Sequence, residues 1–200
     1  SQRSNLVGIP TDCPTREKAG WTGDVYIYGK TSCFNQNLLT FYEEWLRSVR
    51  AEQMDNGGVA YTVPQIKNYV QQLGGISTGW GDVIVELPLQ LYRIYGDRSV
   101  LEQNYDAMKR WQHCLQHMAE SELSPEAAQM EGRELENQRY LINTGFQFGD
   151  WLVPSVKNEQ GFADGQASSF LTGHKVATTI YADTTEKLGK IAGLLGDDEE

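Results

Sequence analysis

The sequence predicts a mainly α-helical protein built from antiparallel helical hairpins, and three observations support this fold class. Apolar residues recur at three- and four-residue spacings over long stretches, which is the periodicity of amphipathic helices. Strand signals are few, since only residues 59–63 and 153–156 have the composition of short extended segments. An aromatic residue, a glycine and an aspartate stand together at three places, about 60 to 70 residues apart, which suits one helical hairpin with its loops. Hairpins repeated in this way around an axis predict an (α/α)6 toroid that gathers the three motifs at one mouth.

Two helices are predicted in the first half of the chain. Residues 37–54 place apolar side chains on one face, and the turn at residues 55–58 ends this helix, because its Asn and Gly residues adopt the left-handed conformation. Residues 80–95 form the second helix, in which Pro88 predicts a kink and Gly96 marks the end.

Helices also fill most of the second half. Asp97 is expected to cap a helix over residues 99–120. Residues 121–143 contain a cap signal at Ser124 followed by proline but carry few apolar residues, which indicates an exposed helix or a long insertion. The last predicted helix covers residues 168–195. Its candidate core positions are Phe170, Leu171, Val176, Ile180, Tyr181, Leu188, Ile191 and Leu194.

Composition and charge exclude several classes of protein. With 200 residues, 40% of them apolar and 22% charged, the chain falls in the range of globular domains that bury a sizeable core. The net charge of -10 and a pI near 4.8 argue against a nucleic-acid-binding surface, which needs clustered Lys and Arg. No run of about 18 apolar residues predicts a membrane span. The acidic residues 197–200 are interpreted as a solvated tail or as the point where a longer protein is cut.

Cysteine and histidine spacing predicts neither a disulfide framework nor a metal site. Cys13, Cys33 and Cys114 are odd in number and lack C-x-x-C spacing. His113 and His117 lie four residues apart on a predicted helix, but no third ligand accompanies them. Unpaired thiols favour a reducing compartment such as the cytoplasm. The compartment stays open, because a signal peptide would precede a chain that begins inside a longer protein.

Chemically versatile residues concentrate between Asp12 and Asp24. Asp12, Glu17 and Asp24 supply three carboxylates, Arg16 a guanidinium and Trp21 an indole, and a proline and a glycine between them indicate a loop. Glycosidic cleavage uses one protonated carboxyl to assist the leaving oxygen and one ionised carboxylate to activate water or attack carbon. Crowded carboxylates raise the pKa of one member, while a guanidinium keeps a neighbour ionised. The segment is therefore a candidate for the acid side of such a site.

Tryptophans suit a sugar site because sugars pack their C–H faces on flat aromatic surfaces while their hydroxyls need polar partners. Trp21, Trp80 and Trp151 each stand near an aspartate and are candidate sugar contacts. Trp45 and Trp111 occupy core positions of predicted helices and are interpreted as packing residues.

Each candidate also has an ordinary structural interpretation, which the sequence leaves open. Asp12 precedes Cys-Pro and is typical of a turn former, and Arg16 and Glu17 can be solvated neighbours. Trp80 can be a core residue at the start of a helix.

One motif carries a family resemblance. The segment Asp12-Cys-Pro-Thr-Arg-Glu17, followed by Gly20-Trp21-Thr-Gly-Asp24, resembles the signature of the bacterial α-L-rhamnosidases of glycoside hydrolase family 78. Similarity continues in order over most of the chain. It includes Cys33-Phe34-Asn35, Trp45-Leu46, Gly79-Trp80-Gly81-Asp82, residues 91–97 and Phe148-Gly149-Asp150-Trp151-Leu152.

The resemblance implies an (α/α)6 catalytic domain that removes terminal α-L-rhamnose with inversion and needs no cofactor or metal. It implies that Glu17 is the general acid. The implied substrate-binding residues are Asp12, Arg16 and Asp24 for hydroxyls and Trp21, Trp80 and Trp151 for the walls of the sugar subsite. Asp82 and Asp150, beside two of these tryptophans, are candidate hydroxyl ligands or helix caps.

The resemblance also implies that the general-base glutamate lies in the second half of the barrel, beyond the matched stretch. Six hairpins need more than about 300 residues. Residues 1–200 are therefore expected to form the N-terminal half of the domain, to lack hydrolysis on their own and to self-associate through an exposed edge.

Three functions compete at this stage. The first is a fragment of an inverting α-L-rhamnosidase that acts on rhamnose-containing oligosaccharides or glycosides. The second is a non-catalytic carbohydrate-binding or scaffold protein of the same fold, in which Glu17 transfers no proton. The third is an α-helical repeat interaction module, which would not gather Trp21, Trp80 and Trp151 around one cavity.

Overall fold

A computed structural model of the chain describes residues 2–66 and 75–197, and in these ranges the protein is mainly α-helical, as predicted. Its helices are α1 (Gln2–Asn5), α2 (Thr22–Asn35), α3 (Leu39–Ala51), α4 (Val83–Tyr95), α5 (Ser99–Ser121), α6 (Gly132–Gln138) and α7 (Gly165–Leu195), with a 3-10 turn at Ala127–Gln129. The strands β1 (Leu6–Val7) and β2 (Ile9–Pro10) form a short antiparallel hairpin. The end of the predicted acidic tail, residues 198–200, lies outside the described residues.

Helix α4 lies at the centre of the bundle, with α2, α3, α5 and α7 packed around it. Apolar residues cover all sides of α4, and Val83, Ile84 and Leu91 are fully buried. Gly96 adopts the left-handed conformation that ends α4, and the Asp97 carboxylate accepts a hydrogen bond from the backbone N–H of Ser99 at 2.9 Å, so both predicted end signals are confirmed. The short connection returns α5 against α4 as a helical hairpin.

The predicted start of α4 differs from the structure, while the predicted kink at Pro88 stays a prediction. The helix runs through Pro88 as one element, and it begins at Val83 rather than at residue 80. Residues 77–82 instead form a turn, because the Asp82 carboxylate accepts the backbone N–H of Gly79 and keeps the chain from continuing the helix.

Helix α2 was not among the predicted helices. Its apolar residues do not lie on one side, since Val25 and Cys33 are buried whereas Ile27 and Phe34 are each 74% exposed. Neither segment predicted to be extended forms a strand. Residues 59–63 are buried and pair with the described chain through the bridge between Trp21 and Thr62, whereas residues 153–156 form a turn in which the Val156 N–H donates to the Val153 carbonyl.

The predicted core of α7 is correct at only some of its positions. Leu188 and Ile191 are buried, but Phe170 is 79% exposed and Leu171 59%. Leu194 is also exposed. In its first turns the helix packs onto the neighbouring loop through small residues, among them Ser168, Ser169 and Gly173, so its large apolar side chains point outward.

The other structural predictions concern packing residues and the insertion. Trp45 and Trp111 are core residues, as expected. Helix α6 within the insertion is exposed along its length, and the Ser124 hydroxyl accepts the backbone N–H of Ala127 at 3.1 Å, as its cap signal predicted. In the described ranges, no helix combines the length and the apolar character needed to cross a membrane.

Candidate active site

One cavity of about 760 Å³ collects residues from three separate parts of the chain. Its polar lining residues are Asp12, Arg16, Glu17 and Asp24, and its apolar ones are Trp21, Trp80, Phe148, Trp151 and Leu152. Seven of the nine candidate residues named from the sequence therefore share one concave surface, and Asp82 and Asp150 are the two that do not line it. The interaction-module interpretation fails here, since it would not bring the three tryptophans together.

The segment that carries the carboxylates is a loop held at both ends. The Asn5 side-chain amide donates to the carbonyls of Thr11 and Asp12, each at 2.8 Å. Within the loop, the Cys13 carbonyl accepts the backbone N–H groups of Arg16 and Lys18. These contacts form a tight turn that directs Arg16 and Glu17 into the cavity instead of continuing a helix.

Backbone pairing with residues 60–63 fixes the other end of this loop. Val63 N–H donates to the Gly20 carbonyl at 2.9 Å, and Thr22 N–H donates to the Tyr61 carbonyl at 2.8 Å. The Thr22 hydroxyl donates to the same carbonyl, and α2 starts at this residue. Asp24 is therefore in the first turn of α2, where it faces the cavity.

Trp80 reaches the cavity from the turn at residues 77–82. The Gln147 side-chain carbonyl accepts the Thr78 N–H at 3.0 Å and the Ser77 hydroxyl at 3.2 Å, which ties this turn to the segment that carries Phe148. The indole of Trp80 rests directly on Gly23, where an added Cβ would lie 2.6 Å from the ring. Only glycine leaves room for the tryptophan at this point of α2.

Asp82 was a candidate substrate ligand, but in the structure it is buried and contacts only other parts of the protein. Its carboxylate is fully buried and accepts hydrogen bonds from Gly79 N–H at 2.7 Å, from the Trp111 indole at 3.1 Å and from the Thr184 hydroxyl. Burial raises the pKa of Asp82, although these three donors oppose the shift. Because its oxygens are occupied and it does not line the cavity, Asp82 secures the turn below Trp80 and joins α5 and α7.

Hydroxyl groups on the first turns of α7 hold the segment that contains Trp151. Ser169 donates to the Phe148 carbonyl at 2.8 Å, Thr172 accepts the Asp150 N–H at 3.0 Å, and Ser168 accepts the Val153 N–H at 3.1 Å. The Asp150 side chain is exposed and does not line the cavity. Its predicted contact with a sugar hydroxyl stays a prediction.

The sequence analysis did not name two of the lining residues as candidates, Leu152 and the more centrally packed aromatic residue Phe148. The Phe148 ring is stacked on Trp80 at 4.2 Å between centroids and meets Trp151 edge-on at 5.2 Å and Trp21 at 6.3 Å. The sequence does mark Phe148, since it is the aromatic member of the third motif, but Trp151 was chosen as the candidate sugar contact instead.

Glu17 is held by its neighbour in the chain. Arg16 donates to both Glu17 carboxylate oxygens, at 2.6 and 3.2 Å, and the Trp21 indole N–H lies 3.4 Å from one of them. The Arg16 hydrogen bonds lower the pKa of Glu17 to about 2. Glu17 is therefore ionised in this arrangement, while the Arg16 side chain stays 77% exposed.

The pKa of Asp24 is shifted in the opposite direction to that of Glu17. Partial burial, followed by the negative charges of Asp12 and Glu17, raises the pKa of Asp24 to about 6. One oxygen of Asp12 is buried and has no hydrogen-bond partner, so it is available to accept a donor from a ligand. The cavity thus contains one firmly ionised carboxylate, one that holds a proton near pH 6 and one unoccupied acceptor.

Asp12, Cys13 and Glu17 bring three potential metal-ligand atoms within 4.8 Å of one another. The Arg16 guanidinium occupies both oxygens of Glu17, so its positive charge opposes a cation at this place. The hydrogen bond with Asp12 raises the pKa of the Cys13 thiol, which further disfavours the thiolate that a metal needs.

Comparisons with known proteins converge on one family. The model of the bacterial alpha-L-rhamnosidase six-hairpin glycosidase domain matches residues 1–200. An alpha-L-rhamnosidase from Formosa agariphila is 37% identical over 199 residues, which are 99% of this chain and 18% of that protein. The chain therefore spans less than a fifth of the length of this relative.

Solved structures give the same result. The alpha-L-rhamnosidase of Dictyoglumus thermophilum superimposes with a TM-score of 0.76 and 27% identity, covering 98% of this chain and 19% of that one. The Streptomyces avermitilis alpha-L-rhamnosidase complexed with L-rhamnose gives a TM-score of 0.74 and 28% identity, covering 98% and 16%. The helices described above are thus those of an α/α toroid.

Proposed function

The chain belongs to the bacterial α-L-rhamnosidase six-hairpin glycosidase family, and on that premise we propose that it supplies the acid side of the active site of an inverting α-L-rhamnosidase. One observation supports this most directly: a single cavity combines three carboxylates and a guanidinium with three tryptophans. The proposed substrates are glycosides that end in α-L-rhamnose.

The lining residues suit a small deoxy sugar. Asp12 and Asp24 accept hydrogen bonds from sugar hydroxyls, and the unpartnered oxygen of Asp12 gains the donor that it lacks. Arg16 donates to further hydroxyl oxygens. Trp80 and Trp151 offer flat apolar surfaces for the C–H faces of the ring.

Glu17 is the proposed general acid, and this role requires it to take up a proton. A sugar hydroxyl that engages Arg16 removes the hydrogen bonds that lower the pKa of Glu17, and the sugar excludes water from the carboxylate. Both changes favour the protonated form. Glu17 then donates its proton to the glycosidic oxygen as the bond from that oxygen to the anomeric carbon breaks.

Asp24 is the second candidate for the acid, because its pKa of about 6 suits a proton donor at neutral pH without any rearrangement. The two assignments predict a different dependence of the activity loss on the leaving group of the substrate. Loss of the true acid harms poor leaving groups most, since they need protonation, whereas loss of a hydroxyl ligand harms all substrates alike.

The test compares Glu17→Gln and Asp24→Asn in the full-length gene product, with alkyl and dinitrophenyl α-L-rhamnosides as substrates. We expect Glu17→Gln to lower kcat/KM by at least about a hundredfold for the alkyl rhamnoside and by less than about tenfold for the activated one. Asp24→Asn should lower both by similar factors. The reverse pattern would transfer the acid role to Asp24.

The binding-only interpretation is tested in the same protein. Rhamnose binding without turnover of either rhamnoside by the wild type would contradict the enzymatic proposal and support a non-catalytic carbohydrate-binding protein. The melting temperature of each variant should stay within about 2 °C of the wild type, which separates a chemical loss from an unfolded protein.

A further inference from the structure

The ring of Phe148 is the common contact of the three tryptophans that line the cavity. It is stacked on Trp80 with an interplanar angle of 28°, and it meets Trp151 and Trp21 edge-on at 80° and 83°. The tryptophans come from three distant parts of the chain. Phe148 is therefore the residue through which their mutual spacing is set.

Backbone and ring contacts leave Phe148 little freedom. Its N–H donates to the Ser77 hydroxyl at 3.1 Å, and its carbonyl accepts the Ser169 hydroxyl at 2.8 Å. Tyr61 and Phe146 contact the ring at 4.9 and 5.0 Å between centroids, and only 4% of the residue is exposed. A ring fixed in this way restricts the position of each tryptophan that packs against it.

The lining of the cavity divides by polarity. The carboxylates and the guanidinium come from the segment at residues 12–24, while Trp80, Phe148, Trp151 and Leu152 form a wall without a charged group. L-Rhamnose has a matching division, because it carries a methyl group where L-mannose carries a hydroxymethyl group. A hydroxyl pressed against this wall would lose its water and find no partner, which disfavours it by about a hundredfold in comparable pockets.

We propose that Phe148 is a positioning residue that fixes the tryptophan wall and thereby makes the cavity select 6-deoxy-L-sugars over their 6-hydroxy counterparts. This inference rests on the proposed function of the cavity. It adds a specificity role for a residue that the catalytic assignments do not use.

The test measures kcat/KM of the full-length gene product for p-nitrophenyl α-L-rhamnoside and p-nitrophenyl α-L-mannoside. For the wild type we expect a ratio of about 100 in favour of the rhamnoside. Phe148→Leu should lower this ratio by about tenfold, mainly through a higher KM for the rhamnoside, because a loosened wall no longer fits the methyl group and admits water beside the hydroxyl. Phe148→Tyr, which keeps the ring, should stay within about threefold of the wild-type ratio.

A matched control is Phe41→Leu, which also removes a ring that contacts another aromatic residue, Tyr42 at 5.5 Å, but outside the cavity. Its ratio should equal that of the wild type within about twofold. Should Phe148→Leu not fold, Phe148→Met removes the ring at similar volume and gives the same comparison.

Equal losses for both substrates in the Leu or Met variant would overturn the proposal, because a merely structural role of Phe148 leaves the ratio unchanged. Failure of the proposed function would look different, since the wild type would then hydrolyse neither glycoside. In that case the affinities of wild type and variant for free L-rhamnose and L-mannose, measured by calorimetry, give the same ratio and decide the role of Phe148.

Discussion

Asp24 and Glu17 show how two carboxylates on one short segment reach opposite protonation states. Hydrogen bonds from Arg16 stabilise the ionised form of Glu17, whereas partial burial and neighbouring negative charge disfavour the ionised form of Asp24. Between pH 4 and 6 the segment therefore holds a proton on Asp24 and a charge on Glu17. Pairs of carboxylates separated in this way are typical of sites that perform acid and base chemistry.

The raised pKa of Asp24 predicts that the stability of the protein depends on pH. Because its folded-state pKa of about 6 is raised above the ordinary aspartate value, the folded state binds this proton more tightly than the unfolded state. The resulting stabilisation is complete below about pH 4 and is lost as the pH rises through 6. We expect Asp24→Asn to raise the melting temperature relative to the wild type by about 2 °C more at pH 7 than at pH 4, after allowance for solvent screening.

The control for this prediction is Asp150→Asn, the same substitution at an exposed aspartate beside a cavity tryptophan. Its melting temperature relative to the wild type should not change between the two pH values. If the melting-temperature difference between Asp24→Asn and the wild type were also the same at both pH values, the raised pKa of Asp24 would be contradicted.

The sequence identified most of the residues around the cavity because the charged ones are close together along the chain. Asp12, Arg16, Glu17 and Asp24 lie within one segment of 13 residues, and no tertiary contact is needed to see that they are neighbours. Asp82 could not be distinguished in this way. It has the same Gly-Asp context as Asp24, and only the packing of α5 and α7 against it shows that it is buried.

The turn at residues 77–82 depends on Asp82 as one structural unit. Asp82→Ala would leave the Gly79 N–H, the Trp111 indole and the Thr184 hydroxyl without an acceptor in a buried place. We expect this substitution to lower the free energy of unfolding by about 3 kcal/mol, measured by urea denaturation.

Asp150→Ala is the matched control, since Asp150 occupies the corresponding position of the third motif but is exposed. It should change the free energy of unfolding by less than about 0.5 kcal/mol. Similar losses for the two variants would mean that the buried hydrogen bonds of Asp82 contribute little to the fold.

Periodicity predicted α3 and α5, whose buried residues lie on one side, and a long apolar run predicted α4, which is buried on all sides. The ends of these helices matched the Gly and Asp signals to within a few residues. Helix α2 could not be found in this way, because Gly23 and Gly29 break its apolar face and Ile27 and Phe34 lie outward. Its position follows from contact with α4, which is information that a local pattern does not contain.

At the scale of the whole molecule, the carboxylates of the cavity all come from one short segment, residues 12–24. An inverting reaction needs a second carboxylate about 6.5 to 9.5 Å from the acid, placed so that water can attack the opposite face of the sugar. The lining residues from the other described segments are Trp80, Phe148, Trp151 and Leu152, which cannot activate water. We expect the 200-residue chain alone to turn over p-nitrophenyl α-L-rhamnoside more slowly than about 1 per second.

Apolar side chains on α2 and α7 predict self-association of the same chain. Ile27 and Phe34 are seven residues apart on α2, hence on one face, and Phe170 and Leu171 are exposed at the start of α7. Light scattering after size exclusion should show dimers or larger species at about 10 μM. A double substitution, Phe34→Ser with Phe170→Ser, should shift the chain toward monomer, whereas Tyr140→Ser on the exposed insertion should not.

The uneven distribution of the five tryptophans gives the protein an intrinsic optical reporter. Three of them, Trp21, Trp80 and Trp151, line the cavity. The other two, Trp45 and Trp111, are buried in the core with 2% and 0% exposure. A sugar bound at the proposed site would displace water from the first three indoles and leave the other two unchanged. We therefore expect the emission spectrum to follow occupancy of the cavity without a label, with the two core indoles as a constant background against which each titration can be normalised.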